Sequence, residues 1–119
     1  VSVLTSMSDS GLKEIGVDCS VVEQVNRLTH LAVSAGLDGM VCSAQEAVTL
    51  RQNFGETLLL VTPGIRPEGA QEDDQQRIMT PRRAMDAGAS YLVIGRPITQ
   101  HPEPSEVLND INQSLGRGS

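Results

Sequence analysis

The chain has 119 residues, enough for one domain with a buried core, and its formal charge of −6 argues against a broad hold on nucleic acid. Phe54 and Tyr91 are the sole aromatic residues, so no platform for stacking bases is present either. No apolar run nears the ~18 residues of a membrane span, no signal-peptide pattern opens the chain, and Cys19 and Cys42 lack disulfide-scaffold or zinc spacing. The expectation is a reduced, cytoplasmic protein without a metal site.

The first run, "VSVLTSM" (1–7), is strand-like and starts abruptly, as though from the middle of a longer fold. A short helix, "DSGLKEIG", follows it. "CSVVEQVNRLTHLAVSAG" then sets Val21, Val22, Val25, Leu28, Ala32 and Val33 on one helical stripe. Ser20 and Glu23 have capping-box spacing, and Gly36 suits the position after the helix. A second strand is expected in "LDGMVCS" (37–43), and a second capped helix in "SAQEAVTLRQNFG", with Ser43 and Glu46 as the box and Gly55 as the stop.

The third strand is "TLLLVTPG" (57–64). After a polar stretch comes "TPRRAMDAG", where Thr80 is the N-cap, Pro81 the first helical residue and Gly88 the terminator. "YLVIG" (91–95) is the fourth strand, and "SEVLNDINQSLG" closes the chain as a helix. The strands are mostly continuous apolar runs, the pattern of parallel strands covered on both faces.

The order β-α-α-β-α-β-α-β-α fits either an open doubly wound sheet or part of a (β/α)8 barrel. A barrel takes about thirty residues per βα unit, so four strands in 119 residues match half of one. The preferred expectation is an α/β half-barrel, about the last four βα units, filling residues 1–119 as one domain.

Function in such folds gathers at the C-terminal strand ends. Those ends carry Thr5-Ser6, Cys42-Ser43, Thr62-Pro63-Gly64-Ile65-Arg66 and Gly95-Arg96-Pro97. The polar loop between the third strand and Thr80, about fifteen residues long, therefore lies on the ligand-binding rim, where ~2–6 residues would suffice for a simple connection. Hinged at Gly64 and Gly69, it could fold over a ligand and exclude water. Gly95 lets a ligand approach the backbone, and Arg96 offers a planar fork for two phosphate oxygens. With Arg66 and Gln75 on the same rim, phosphate binding is the expectation.

Other candidates have plainer explanations. His30 falls on the polar side of its helix with Glu23 and Arg27, and His101 sits between prolines. Cys42 ends a buried strand and reads as packing. The carboxylates at 72–74 read as solvated, and neither a Ser/His/Asp set nor a GxGxxG is present.

The segments "VLTSM", "GLDGMVCSAQEA", "LVTPGIRPEG" and "DDQQRIMTPRRAMDAGASYLVIGRPIT" together resemble the C-terminal half of bacterial orotidine 5′-phosphate decarboxylases. The resemblance spans essentially the whole chain, and "TPGIRP" with "IGRPIT" at their mutual spacing is its most specific part. It implies a (β/α)8 barrel that makes UMP and carbon dioxide from orotidine 5′-phosphate in pyrimidine synthesis. It also implies no metal or cofactor, and a homodimer with active sites near the subunit interface. By the same resemblance, Arg96 and the Gly95 backbone grip the 5′-phosphate, and Gln75 reaches phosphate and pyrimidine from the loop. Arg66 and Thr5 match substrate-contacting positions, Pro63 walls the pocket, and Ser8 matches the serine that bonds the pyrimidine amide.

One departure is large. The family's "DxKxxD" motif, and the Asp and Lys that precede it, have no match here, and Lys13 is the only lysine. No catalytic residue is therefore assigned in this chain, and the chain alone is expected to be inactive. The missing N-terminal half is an expected partner. Two alternatives stand beside this: a non-catalytic phosphate- or nucleotide-binding half-barrel, and a related decarboxylase acting on a sugar phosphate such as keto-gulonate phosphate.

Overall fold

The computed structural model describes residues 1–4, 6–67 and 79–116. Thr5 and the loop residues 68–78, Gln75 and Gly69 among them, lie outside the described residues. Helices α1 (Asp9–Glu14) and α2 (Val21–Ser34) precede strand β1 (Gly39–Val41). A 3-10 turn, Ala44–Glu46, leads into α3 (Ala47–Phe54) and β2 (Leu59–Thr62). Then come α4 (Pro81–Ala87), β3 (Tyr91–Leu92), a short α5 (Arg96–Thr99) and α6 (Pro104–Ser114).

The three strands form one parallel sheet in the order β1-β2-β3. Val41 lies opposite Val61, and Val61 opposite Tyr91. The sequence "VSVLTSM" forms no described strand. Ser2 runs beside β1, and both its N–H and its hydroxyl donate to the Val41 carbonyl at 2.9 Å.

Within this chain the strands are covered by helices on one face. Met40, Leu60 and Thr62 point to one face and are buried, with Leu12, Val21, Val25, Ala47 and Leu50 completing the main core. On the other face Leu59 is 43% exposed and Tyr91 59%, with Val93 at 49% two residues further on. The shortest extent of the chain is 19 Å, which suits one sheet and one layer of helices. The apolar runs on this sheet therefore reflect two environments, a helix-packed face and an uncovered one. At Gly39 a Cβ would overlap the Leu59 carbonyl, so the close approach of β1 to β2 demands glycine there.

Local signals account for the helices. Ser20 Oγ accepts from the Glu23 N–H at 3.2 Å, and Asp9 Oδ1 accepts from the Val21 N–H at 2.7 Å, so two side chains cap α2. The buried stripe of α2 differs slightly from the expected one. Val22 and Val33 are exposed, while Thr29 is buried and its hydroxyl donates to the Val25 carbonyl at 2.8 Å. A polar residue can occupy that core position because the helix backbone satisfies its hydroxyl. The box expected at Ser43 and Glu46 becomes a 3-10 turn, with Ser43 Oγ accepting from Gln45 N–H at 3.3 Å. Thr80 caps α4 as expected, accepting from the Arg83 N–H at 3.3 Å with Pro81 in the first turn. Gly88 ends that helix in the left-handed region, at φ 115°.

Candidate functional site

After Thr62 the chain leaves β2 through Pro63 and Gly64, and Gly64 takes φ 76°, a conformation that favours glycine. Ile65 and Arg66 then run alongside Met79, with the Arg66 N–H donating to the Met79 carbonyl at 2.9 Å. Beyond β3, the Val93 N–H donates to the Thr62 carbonyl at 2.9 Å, which carries the pairing on towards Gly95. These two exits bring Pro63–Arg66 and Gly95–Pro97 to the same rim.

Between them lies a cleft of about 220 Å³, lined by Pro63, Gly64, Ile65, Arg66, Val93, Gly95, Arg96 and Pro97. Arg66 is only 6% exposed, whereas Arg96 is exposed at the first position of α5. No carboxylate lines the cleft among the described residues. In a chain of formal charge −6, the described lining of this cleft holds two arginines and no acid. A Cβ added at Gly95 would meet nothing within 4 Å, so packing does not require glycine there. What the missing side chain leaves is open access to the backbone beside Arg96.

Four of the expected site residues, Pro63, Arg66, Gly95 and Arg96, share this cleft. Thr5 and Gln75 lie outside the described residues. Ser8 is not part of it. Its hydroxyl is the N-cap of α1, accepting from Gly11 N–H at 3.2 Å, and it borders a separate cleft with Met7, Asp9 and Glu46. Ile65 and Pro97, named only as strand-end residues, are walls of the cleft, and Val93 is a wall that sequence reasoning missed. Val93 could have been found from the alternation of "YLVIG", which puts it on the uncovered face with Tyr91.

Lys13, His30, His101 and Cys42 lie outside the cleft. Lys13 is exposed in the last turn of α1. His30 is exposed on α2 beside Arg27 and Asn53, and His101 Nδ1 accepts from the Glu103 N–H at 3.0 Å. Burial, with a smaller contribution from the nearby Glu46 carboxylate, pushes the Cys42 thiol up to about 12, against the opposing pull of Arg51. Such a thiol is a packing group rather than a nucleophile. Among the described residues no cluster of His, Cys, Asp or Glu is arranged to hold a metal ion, and no helix is long and apolar enough to cross a membrane.

Comparison with known proteins gives a consistent set of matches. The family model for "Orotidine 5'-phosphate decarboxylase / HUMPS family" matches residues 1–111. An orotidine 5'-phosphate decarboxylase of Actinobacillus pleuropneumoniae serotype 5b is 58% identical over 115 residues, which is 97% of this chain and 50% of that protein. One from Salmonella choleraesuis is 56% identical over 117 residues, 98% of this chain and 48% of that protein. The crystal structure of the Lactobacillus acidophilus enzyme superposes with a TM-score of 0.78 at 36% identity, covering 96% of this chain and 46% of that one. The chain thus spans about half the length of the curated relatives it matches.

Proposed function

The chain belongs to the orotidine 5'-phosphate decarboxylase / HUMPS family, and from that premise we propose that it is the C-terminal, phosphate-holding half of an orotidine 5′-phosphate decarboxylase barrel. The observation that carries this is the cleft in which Arg66, Gly95 and Arg96 meet at the ends of β2 and β3, with no carboxylate among its described lining residues. A phosphate monoester there meets two guanidinium forks and an open stretch of backbone, the donors that suit a doubly charged anion. Gln75 and Thr5 would add contacts to the phosphate and the pyrimidine, and Pro63 would wall the pocket.

In this proposal the half-chain supplies binding rather than bond cleavage. Gripping the remote phosphate provides binding energy that a complete active site spends on reaching the transition state. The reacting carboxylate needs a nearby acid/ammonium network, which destabilises it and then protonates the carbanion left at the pyrimidine carbon. The only lysine, Lys13, is on the exposed last turn of α1 and does not line the cleft. Decarboxylation would therefore depend on an N-terminal half that also covers Leu59, Tyr91 and Val93. A homodimer of such subunits, in the cytoplasm and without metal or cofactor, belongs to the same proposal.

The test is complementation. The 119-residue chain alone should not consume orotidine 5′-phosphate, and addition of the N-terminal half of a relative should restore loss of the orotate absorbance. Turnover by the chain alone would refute the division of labour. Nucleotide binding that no complement converts into turnover would favour a binding module instead.

A further inference from the structure

Arg66 is held in place by a residue that touches neither the cleft nor the proposed ligand. Its N–H donates to the Met79 carbonyl at 2.9 Å, and Ile65 pairs with Met79 in an isolated parallel bridge. These contacts close the stem of the loop at the point where the chain returns to the body. Met79 is in turn fixed from two directions. Its side chain packs on the buried cluster of Ala44, Ile65, Ala84 and Ala89, and the next residue, Thr80, caps α4.

A long, flexible arginine is aimed only as well as its backbone is fixed. From this chain of contacts we infer that Met79 is a positioning residue for Arg66, setting its guanidinium against the anion cleft through the loop stem. The inference rests on the anion-binding role proposed above. Met85 provides the internal comparison. It is a second partly buried methionine on the same cluster, but it lies within α4 and makes no bond to the stem.

The experiment uses the 119-residue chain and its Met79→Ala, Met79→Leu and Met85→Ala variants. Two quantities are read: hydrogen-exchange protection of the buried Arg66 Nε–H by NMR, and the Kd for UMP. Met79→Ala should lower the protection and weaken UMP binding, each on the order of tenfold. Met79→Leu, which keeps the apolar anchor, should restore both. Met85→Ala should lower thermal stability to a similar degree and move neither. Unchanged Arg66 protection in Met79→Ala, or an equal loss in Met85→Ala, would overturn the inference. If Met79→Ala does not fold, Met79→Val is read by the same criteria. Absence of UMP binding by the unsubstituted chain would count against the anion site itself, while the Arg66 Nε–H measurement would still decide the role of Met79.

Discussion

Arg51 on α3 reaches Ser90, 39 positions along the chain, donating from Nη2 to the Ser90 hydroxyl at 2.9 Å. Its Nε donates to the Gly88 carbonyl at 2.9 Å, and Nη1 donates to the carbonyls of Gly55 and Leu58. Ser90 Oγ also accepts from the Leu60 N–H at 3.0 Å. One guanidinium thus ties the end of α3, the start of β2 and the turn before β3, at the opposite end of these strands from the cleft.

Removing that hub should be felt in stability. Arg51→Ala leaves several carbonyls without their donor, and hydrogen bonds to charged groups contribute ~1.5–3 kcal/mol each, not additively. We expect a loss of about 3 kcal/mol in urea unfolding, with Arg51→Lys recovering only part because an ammonium cannot span the same acceptors. A change below about 0.5 kcal/mol would show that the observed geometry contributes little.

The buried thiol gives a pH dependence of definite sign. Cys42 is raised from 9.0 to about 12 in the fold. Below pH ~9 the thiol is neutral in both states and contributes no slope. Above that, the unfolded chain ionises first, so the native state holds more protons and stability falls as pH rises, at about 1.4 kcal/mol per unit. Going from pH 8 to pH 10, the unsubstituted chain should lose about 1.4 kcal/mol relative to Cys42→Ala, measured by urea midpoints. Parallel curves for the two proteins would contradict this assignment.

The start of α4 offers a smaller effect. Thr80 both caps the helix and follows the loop stem, so Thr80→Ala should cost about 1 kcal/mol while Thr80→Ser costs little. Thermal unfolding of the two variants makes the comparison.

The uncovered face yields a prediction about association. Tyr91 is exposed in the isolated chain, so Tyr91→Gln should leave its own stability within about 0.5 kcal/mol. The same substitution should weaken recovery of activity with an N-terminal half, because it places a polar amide where an apolar layer closes. Equal recovery with both proteins would mean that this face is not where the halves meet.

Much of the local structure was legible in the sequence because short-range chemistry decides it. Thr80 with Pro81 started a helix where expected, Gly36, Gly55 and Gly88 took positive φ, and the order of parallel strands followed from the alternation of apolar runs. The single-sided burial of the sheet was not legible, since a continuous apolar run looks the same whether helices or an open face lie beyond it. Ser43 and Glu46 have the spacing of a capping box, but the chain tightens into a 3-10 turn there, and the side-chain bond shifts to Gln45. Within the candidate site, Pro63, Arg66, Gly95 and Arg96 were legible from their strand-end positions. Ser8, a serine before a helix, also serves as its cap, its hydroxyl oxygen accepting from the Gly11 N–H. The bond from Arg66 to Met79 joins residues on either side of a long loop, and no local pattern announces it.

The central claim is that Arg96, across a cleft from Arg66, faces a bound phosphate ester. Titrating UMP into the 119-residue chain and into Arg96→Ala, followed by the phosphorus resonance, tests it most directly. Two charge-assisted bonds of ~1.5–3 kcal/mol each predict saturable binding that weakens by ~10²–10⁴ in the variant. Equal affinity for both proteins, or a phosphorus signal that neither protein shifts, would contradict it.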